Sequence, residues 1–196
     1  MHKNRSFEAP VFVVQFIACQ SDEGVLVSHK GCDEMNFNFS SAFAYKSDMA
    51  QLYREYNALL LETDPDFKSC LAMQNFDREI DELEIKFAPP RSTLIIAHAE
   101  DGKAAGCVGI KKFSEDVCEL KRLYVRPEYR KSGLGQLFTE MMIEKARAVG
   151  YKRMYLDTMP GLEAALRLYK RLGFYEIEKY YDNPVERVIY LCYDLI

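Results

Sequence analysis

The pair Pro89-Pro90 separates two regions with different hydrophobic periods, and this change constrains the fold more than any other feature. Before the prolines, apolar residues recur at helical spacing from Ser47 to Asp64, and a second, acidic helix is expected between Gln74 and Glu84. After them come three strand-like segments separated by turns, at 93–99, 104–113 and 117–125. Helices followed by a three-stranded meander predict a mixed α/β domain.

The remaining chain alternates between the same two kinds of element. Apolar residues recur at helical spacing from Leu134 to Gly150 and from Leu162 to Gly173, and a strand is expected between them at 152–158. A last hairpin is expected from strands at 174–180 and 187–194. We therefore predict an α/β fold with a mixed, mostly antiparallel central sheet of about six or seven strands, flanked by about four helices.

Residues 1–35 are expected to form an N-terminal extension to the main domain, which we place at 36–196. Val11 to Ala18 is rich in β-branched and aromatic residues, and a turn signal at 21–24 leads into Val25-Leu26-Val27. This pattern predicts a strand hairpin. A chain of 196 residues accommodates one domain with a full core.

Charge and cysteine usage indicate the setting in which the chain works. The net charge of −4 argues against a nucleic-acid binder, which normally carries a strongly basic face. The six cysteines form no C-x-x-C pair and the three histidines have no metal-ligand spacing with them, so we predict no metal and a reduced, cytoplasmic location. Glu8 and Pro10 lie just before the apolar run from Val11 to Cys19 and Gln15 lies within it, so the region that an export signal would keep apolar is interrupted, which argues against such a signal. No run reaches the roughly 18 apolar residues that span a bilayer, so no membrane association is expected.

The segment Arg130-Lys131-Ser132-Gly133-Leu134-Gly135 lies between a predicted strand and a predicted helix. Its glycines permit close backbone approach, and the amide groups and dipole at a helix start favour a bound anion such as a pyrophosphate. An ordinary turn would also account for two glycines at this place. Neither a P-loop nor the dinucleotide fingerprint G-x-G-x-x-G is present, which argues against nucleoside triphosphates and NAD.

Arg130 to Gly135 resembles the signature [Q/R]-x-x-G-x-[G/A] of the GNAT superfamily of acyl-CoA-dependent N-acetyltransferases. The resemblance continues through Cys118 to Val125, Arg126 to Tyr129 and Leu168 to Phe174, and covers about residues 45 to 195. It implies a GNAT-like sheet with a pyrophosphate-binding strand-loop-helix, acetyl-CoA as co-substrate, and a small-molecule or peptide amine as acceptor. A homodimer is left open.

The resemblance also implies which residues bind acetyl-CoA. In the family, the end of the fourth strand offers backbone groups to the pantetheine arm, and the following loop and helix start bind the pyrophosphate. The corresponding positions here are Leu123, Tyr124, Val125, Arg130, Lys131, Ser132, Gly133, Leu134, Gly135 and Gln136. The chain departs from the family at Leu162, where many members have an asparagine that contacts the pantetheine arm.

Two side chains correspond to catalytic positions. Tyr169 matches the tyrosine that protonates the departing CoA thiolate in many members, and a phenol with a pKa of about 10 holds its proton at neutral pH. Glu119 matches a position where related enzymes often keep a carboxylate that accepts the proton of the amine. Simple packing of Tyr169 in the core, or an exposed ion pair of Glu119 with Lys121 or Lys111, would produce the same sequence.

The acceptor side is expected at the loop 180–184, with Tyr181 and Asn183 as substrate-binding residues. The acidic helices between 47 and 84 are a second candidate wall, which would favour cationic amines, although these acids would equally serve to solvate the helices. The predicted activity is acetyl transfer from acetyl-CoA to a primary amine by direct nucleophilic attack. The alternative is a non-catalytic acyl-CoA-binding or regulatory protein.

Overall fold

The computed structural model describes residues 25–28, 35–68 and 76–196. Its centre is one eight-stranded sheet in the order β1-β2-β3-β4-β5-β6-β8-β7. The strands are β1 (Val25–Ser28), β2 (Asn36–Ser41), β3 (Thr93–Ala99), β4 (Ala104–Lys112), β5 (Val117–Val125), β6 (Arg153–Thr158), β7 (Tyr175–Ile177) and β8 (Ile189–Asp194). Every neighbouring pair is antiparallel except β5 and β6, which are parallel. The predicted mixed, mostly antiparallel sheet is confirmed.

Five helices flank this sheet in the described part of the chain. They are α1 (Lys46–Thr63), α2 (Phe76–Asp81), α3 (Leu83–Lys86), α4 (Leu134–Val149) and α5 (Glu163–Leu172). The single acidic helix predicted between Gln74 and Glu84 is divided into α2 and α3 at Glu82, whose backbone leaves the helical region. The predicted end of α5 at Gly173 is confirmed, because this residue adopts the left-handed conformation with a φ of 101°.

Strand β2 lies in a segment for which the sequence analysis made no prediction. Its sequence alternates between buried and polar positions, with Phe37 1% and Phe39 4% exposed and the exposed Asn38 between them. This two-residue period is the signal of a half-buried strand, but it extends over only six residues. The sheet therefore has eight strands instead of the expected six or seven.

The N-terminal side of the expected boundary at residue 35 contributes to the same sheet. Strand β1 pairs with β2, with Val25 opposite Phe39 and Ser28 opposite Asn36. The predicted partner strand from Val11 to Ala18 lies outside the described residues. The division into an extension and a main domain thus stays a prediction.

The two faces of the sheet bury separate clusters of side chains. On β3, Leu94 and Ile96 pack in the cluster of α1, whereas Ala97 packs in the cluster that contains Phe138 of α4. This alternation is the two-residue period of a strand covered on both sides. The sheet is thereby held between α1 to α3 on one face and α4 and α5 on the other.

The parallel pair β5 and β6 stays together over only three residue pairs. The ladder ends at Glu119 opposite Tyr155, whereas β5 continues to Val125 and β6 to Thr158. Beyond the ladder, the edge of β5 that faces β6 has no strand partner among the described strands. A gap in the sheet opens at this point, between the start of α4 and the start of α5.

No helix in the described ranges is long and apolar enough to cross a membrane.

Candidate active site

The gap between β5 and β6 forms a cleft of about 740 Å³. Eight of the ten predicted acetyl-CoA-binding residues line it: Leu123, Tyr124, Val125, Arg130, Lys131, Gly133, Gly135 and Gln136. The opposite wall comes from α1 and the start of α5, where the apolar side chain of Leu162 stands in place of the family asparagine. A further open depression of about 880 Å³ lies beside Pro65 and Arg187, and none of the predicted site residues lines it.

The other two predicted residues support the loop from behind. The Ser132 hydroxyl donates to the carbonyl oxygen of Tyr129 at 2.7 Å and accepts from the amide of Leu134 at 3.3 Å. The side chain of Leu134 is buried in the core under α4. Their roles are thus to fix the loop conformation rather than to line the cleft.

The loop before α4 presents backbone amides that the protein itself does not use. Gly133 adopts the left-handed conformation with a φ of 88°, which L side chains rarely adopt. The amides of Gly133, Gly135 and Gln136 have no acceptor among the described residues. Together with the positive end of the α4 dipole, they form an anion site.

Gly135, unlike Gly133, does not have a positive φ, so its backbone conformation does not require glycine. A Cβ atom at this position would lie 3.7 Å from Leu168 Cδ2 and 3.9 Å from Val125 Cγ2, which are ordinary contacts. The protein's own packing therefore has room for a side chain at residue 135. A side chain at residue 135 would occupy part of the cleft, which the glycine leaves open.

Tyr169 combines both roles that the sequence analysis considered. Its ring is 6% exposed and packs against Phe174, with 5.5 Å between the ring centroids. Its hydroxyl has no hydrogen-bond partner among the described residues, and the residue lines the cleft. Burial above all, together with the nearby Tyr56 and Asp157, raises the pKa of Tyr169 well above its ordinary value. The phenol is therefore a protonated group at the cleft wall.

Glu119 lies at the last ladder position between β5 and β6, and it faces a second cavity. This side pocket of about 400 Å³ adjoins the cleft, and both cavities share Lys121 and Arg122 as lining residues. The Glu119 side chain is not an exposed strand carboxylate, since the residue is 8% accessible. Of its two expected partners, Lys121 contacts it, with Nζ 2.7 Å from Oε1.

The two contacts of Glu119 are made by the same oxygen atom. Oε1 accepts from the Tyr180 hydroxyl at 2.7 Å and from Lys121 Nζ at 2.7 Å. Oε2 has no hydrogen-bond partner among the described residues. One oxygen thus fixes the carboxylate and the other is available to a ligand or a water molecule.

Lys121 joins Glu119 to a carboxylate that the sequence analysis missed, Asp157 of β6. Lys121 Nζ lies 2.7 Å from Asp157 Oδ1, and Asp157 Oδ2 accepts from the Tyr181 hydroxyl at 3.1 Å. Burial pushes the pKa of Asp157 up, but the Lys121 charge and these hydrogen bonds outweigh it and hold the pKa below its usual value. Burial likewise opposes protonation of Lys121, yet the two carboxylates raise its pKa. The sequence signal that could have identified Asp157 is an acidic residue within the otherwise apolar predicted strand 152–158.

The loop after β7 holds this ion cluster in place. Asn183 Nδ2 donates to the Tyr181 hydroxyl at 2.6 Å, and Asn183 Oδ1 accepts from the amide of Val185 at 2.9 Å. Tyr181 lines the side pocket, whereas Asn183 lines neither cavity and supports Tyr181. Strand β7 ends at Ile177, three residues earlier than predicted, because the chain turns here to bring Tyr180 and Tyr181 onto the two carboxylates.

Some of the cations at and near the cleft are paired with carboxylates, and others have no carboxylate partner among the described residues. Arg122 forms a buried bidentate pair with Glu79, at 2.8 and 2.7 Å, and Arg126 pairs with Glu55 at 2.8 and 2.9 Å. The cleft residues Arg130, Lys131 and Arg171 contact no carboxylate in the described part. These three are positioned to attract an anionic ligand.

The acidic wall expected from the helices between 47 and 84 is absent from the cleft as far as the described side chains show. Helix α1 contributes Tyr56, Leu59, Leu60 and Thr63 to the cleft wall, and Glu79 lies in the side pocket. The carboxylate of Glu79 is held by Arg122, which lowers its pKa although burial opposes this. The acidic wall was one of two expectations for the acceptor side, and it stays a prediction there, with Glu79 as the described acid of these helices that lines the side pocket.

The sequence matches a family model described as the acetyltransferase (GNAT) family over residues 49–174, a range that contains most of the cleft. An uncharacterized N-acetyltransferase of Schizosaccharomyces pombe is 40% identical over 138 residues, which cover 70% of this chain and 85% of the relative.

Two solved structures share the fold. An acetyltransferase of the GNAT family from Staphylococcus aureus superposes with a TM-score of 0.64 at 15% identity, over 82% of this chain and 99% of that chain. The structure of yncA from Salmonella typhimurium with its cofactor acetyl-CoA superposes with a TM-score of 0.56 at 19% identity, over 84% and 95%.

Proposed function

We propose that this chain, which belongs to the acetyltransferase (GNAT) family, transfers an acetyl group from acetyl-CoA to a primary amine of a small molecule or peptide. The observation that carries the proposal is the cleft between β5 and β6. It has an unused set of backbone amides at one end and a protonated phenol at its wall. The fold neighbour yncA, which holds acetyl-CoA, supports the choice of donor.

The residues of the cleft fit a CoA ester. A pyrophosphate is the group that free amides at a helix start bind best, and Arg130, Lys131 and Arg171 add positive charge around them. The open space beside Gly135 lets a ligand approach the backbone closely. Acetyl-CoA, when bound, supplies an acetyl group activated as a thioester.

The unpaired edge of β5 supplies the next element of the mechanism. Between Leu123 and Val125, the backbone groups on the side of β6 have no strand partner. Amide groups fixed in a strand are oriented before substrate binds, so they can stabilise negative charge on a carbonyl oxygen without reorganisation. We assign this edge to the pantetheine arm and the carbonyl oxygen of the ester.

Tyr169 is placed to act as the general acid. Its hydroxyl makes no hydrogen bond within the described protein, so no internal acceptor competes for its proton. The raised pKa keeps that proton on the phenol until negative charge develops next to it. We propose that this charge is the departing thiolate.

Glu119 is placed to receive the proton of the amine, directly or through one water molecule. An alkylammonium with a pKa of about 10 cannot attack until it loses a proton. The free Oε2 of Glu119 is the acceptor for that proton, and the contacts at Oε1 keep the carboxylate in one position. Glu119 and Tyr169 thus serve the two proton transfers from neighbouring cavities that meet at Lys121 and Arg122, where the amine and the thioester must come into contact.

Cytoplasmic location is part of the same proposal. Cys107, Cys118 and Cys192 are free thiols in the described part, as a reducing compartment would keep them.

The test is acetyl-CoA-dependent thiol release against polyamines, aminoglycosides, amino acids and peptide N-termini, with acetyl-CoA binding measured in parallel. Release that depends on an added amine is expected. Binding of acetyl-CoA without release for any amine would contradict the proposal and favour a non-catalytic acyl-CoA-binding protein.

A further inference from the structure

The side pocket lies directly beside the cleft, and its charges indicate what it binds. It is bordered by β4, β5, the segment of α2 and α3, and the loop after β7. Glu119 projects into it, so an amine that gives its proton to Oε2 must occupy this pocket. Its lining therefore determines which amines are accepted.

Carboxylates already engage three of the four cations at this pocket. Lys121 is shared by Glu119 and Asp157, and Glu79 is shared by Arg122 at 2.7 Å and Lys86 at 3.4 Å. The remaining cation is Lys111, which contacts no carboxylate in the described ranges and has an exposed side chain. The four cations of the lining are balanced by Glu79, Glu119 and Asp157, the last of which pairs with Lys121 from outside the lining. Among the described residues the pocket therefore has a net charge of one positive unit. A positive pocket attracts an anionic acceptor and disfavours a polycation.

Lys111 and Glu119 are direct partners across β4 and β5. Side chains opposite each other in an antiparallel pair lie on one face, with Cβ atoms about 5 Å apart. They nevertheless form no ion pair with each other, and the contacts of Glu119 are made at Oε1 by Lys121 and Tyr180. A proton acceptor and an available ammonium group therefore lie side by side, which matches a molecule with an amine and a carboxylate on the same carbon atom.

The rim of the side pocket is aromatic. Phe113 is 47% exposed and packs edge-on against Tyr180, with 5.3 Å between centroids. Phe87 and Tyr181 complete the apolar part of the lining. An exposed aromatic ring beside a charged pocket favours a ligand that combines a charged end with an apolar body.

We propose that the acceptor is an α-amino acid with an apolar side chain, whose carboxylate binds Lys111 and whose amine lies at Glu119 Oε2. This inference rests on the proposed transfer of acetyl groups to an amine. The amine nitrogen forms a bond to the acetyl carbonyl carbon while the carbon–sulfur bond breaks. The ammonium first gives one proton to Glu119 or water, and the nitrogen gives a second to solvent as the amide forms. The thiolate takes a proton from Tyr169, which solvent reprotonates, and the products are an N-acetylamino acid and CoA.

The experiment compares three acceptors that share one side chain and one amine: leucine, leucinamide and isopentylamine. Only leucine carries the carboxylate. We expect its kcat/KM to exceed those of the other two by tenfold or more. In Lys111→Gln, the KM for leucine should rise by roughly ten- to hundredfold with kcat little changed, since a hydrogen bond between charged groups is lost. Lys111→Arg should recover part of the affinity.

Lys112→Gln is the matched control. Lys112 is the next residue of β4, so its side chain points to the opposite face, and it pairs with Glu115. This variant should retain the wild-type KM for leucine. Equilibrium dialysis of radiolabelled leucine in the presence of CoA gives a second readout, with retention expected in wild type and loss in Lys111→Gln.

Two results would overturn the inference, and they differ. The proposed carboxylate recognition is refuted if leucinamide or isopentylamine reacts as well as leucine, or if Lys111→Gln leaves the KM for leucine unchanged. Either result leaves the proposed acetyl transfer intact. If none of the three acceptors, nor any amine in the wider panel, releases thiol, the proposed transfer itself is refuted.

Discussion

The hydroxyl of Tyr180 donates to Glu119 Oε1 at 2.7 Å, across 61 residues of chain, and leaves Oε2 of this pocket-lining residue without a partner among the described residues. In Tyr180→Phe the carboxylate loses one of its two restraints while the ring contacts stay. We expect kcat/KM for the acceptor to fall about tenfold, since a charge-assisted hydrogen bond is lost. The dissociation constant of acetyl-CoA should not change. Steady-state kinetics and titration calorimetry measure the two quantities.

Tyr175→Phe is the control for that variant. Tyr175 also donates a hydrogen bond to a carboxylate, Asp194, but at the edge of the sheet away from both cavities. Its removal should leave kcat/KM unchanged. Equal losses in the two variants would mean that Tyr180 has only a structural role.

Tyr169→Phe separates catalysis from binding and from folding. Removal of a general acid typically costs 10²- to 10⁴-fold in rate, so we expect kcat to fall by about that factor. The hydroxyl has no partner among the described residues, so the free energy of unfolding and the acetyl-CoA affinity should stay close to wild type. Rapid-quench kinetics and denaturant titration are the measurements. Wild-type turnover in this variant would remove Tyr169 from the mechanism.

Gly135→Ala distinguishes space reserved for a ligand from space required by the fold. A Cβ at this position meets Leu168 and Val125 at ordinary distances, and alanine favours a helix over glycine by up to about 1 kcal/mol. The free energy of unfolding should therefore stay the same or rise. The affinity for acetyl-CoA should fall at least tenfold, because the methyl group occupies the cleft. Unchanged affinity would show that the ligand does not approach this part of α4.

Asp157 should make stability depend on acid pH. Its pKa in the folded protein lies below the ordinary value of about 3.9, because Lys121 outweighs the effect of burial. A lowered folded pKa contributes stability that is complete above about pH 4 and is lost as the pH falls through the folded pKa. Urea titrations between about pH 5 and pH 2 should show a steeper loss in wild type than in Asp157→Asn. Parallel curves would mean that the pair with Lys121 contributes nothing.

Local pattern was sufficient to predict most of the secondary structure. Helix α4, β4 and β5 are each nine or more residues long, so their hydrophobic pattern could be recognised. Their predicted bounds agree with the structure to within one residue. Strand β2 was missed because six residues with two phenylalanines give a weak period. Helical spacing also did not show the break at Glu82, whose backbone angles depart from the helical region although the apolar spacing continues.

In the candidate site, residues of one continuous motif were predicted, whereas residues that only the fold brings together were missed. Residues within one continuous motif, such as Gly133 and Gln136, were found because loop and helix start are adjacent in sequence. Asp157 was missed because its role depends on Lys121, 36 residues earlier, and on a ladder that ends just before both. Nor could spacing show that Glu119 faces a second cavity, which depends on the side of β5 that it occupies.

Lys121 and Arg122 line both cavities, so the two cavities meet at these residues. If the donor binds in one cavity and the acceptor in the other, as proposed, neither molecule must leave before the second arrives, and we expect a ternary complex to precede the chemistry. Burial also raises the pKa of the Cys107 and Cys118 thiols to about 12, which makes both poor carriers for an acyl-enzyme. Double-reciprocal plots of initial velocity against acceptor concentration, at several acetyl-CoA concentrations, should then intersect rather than run parallel.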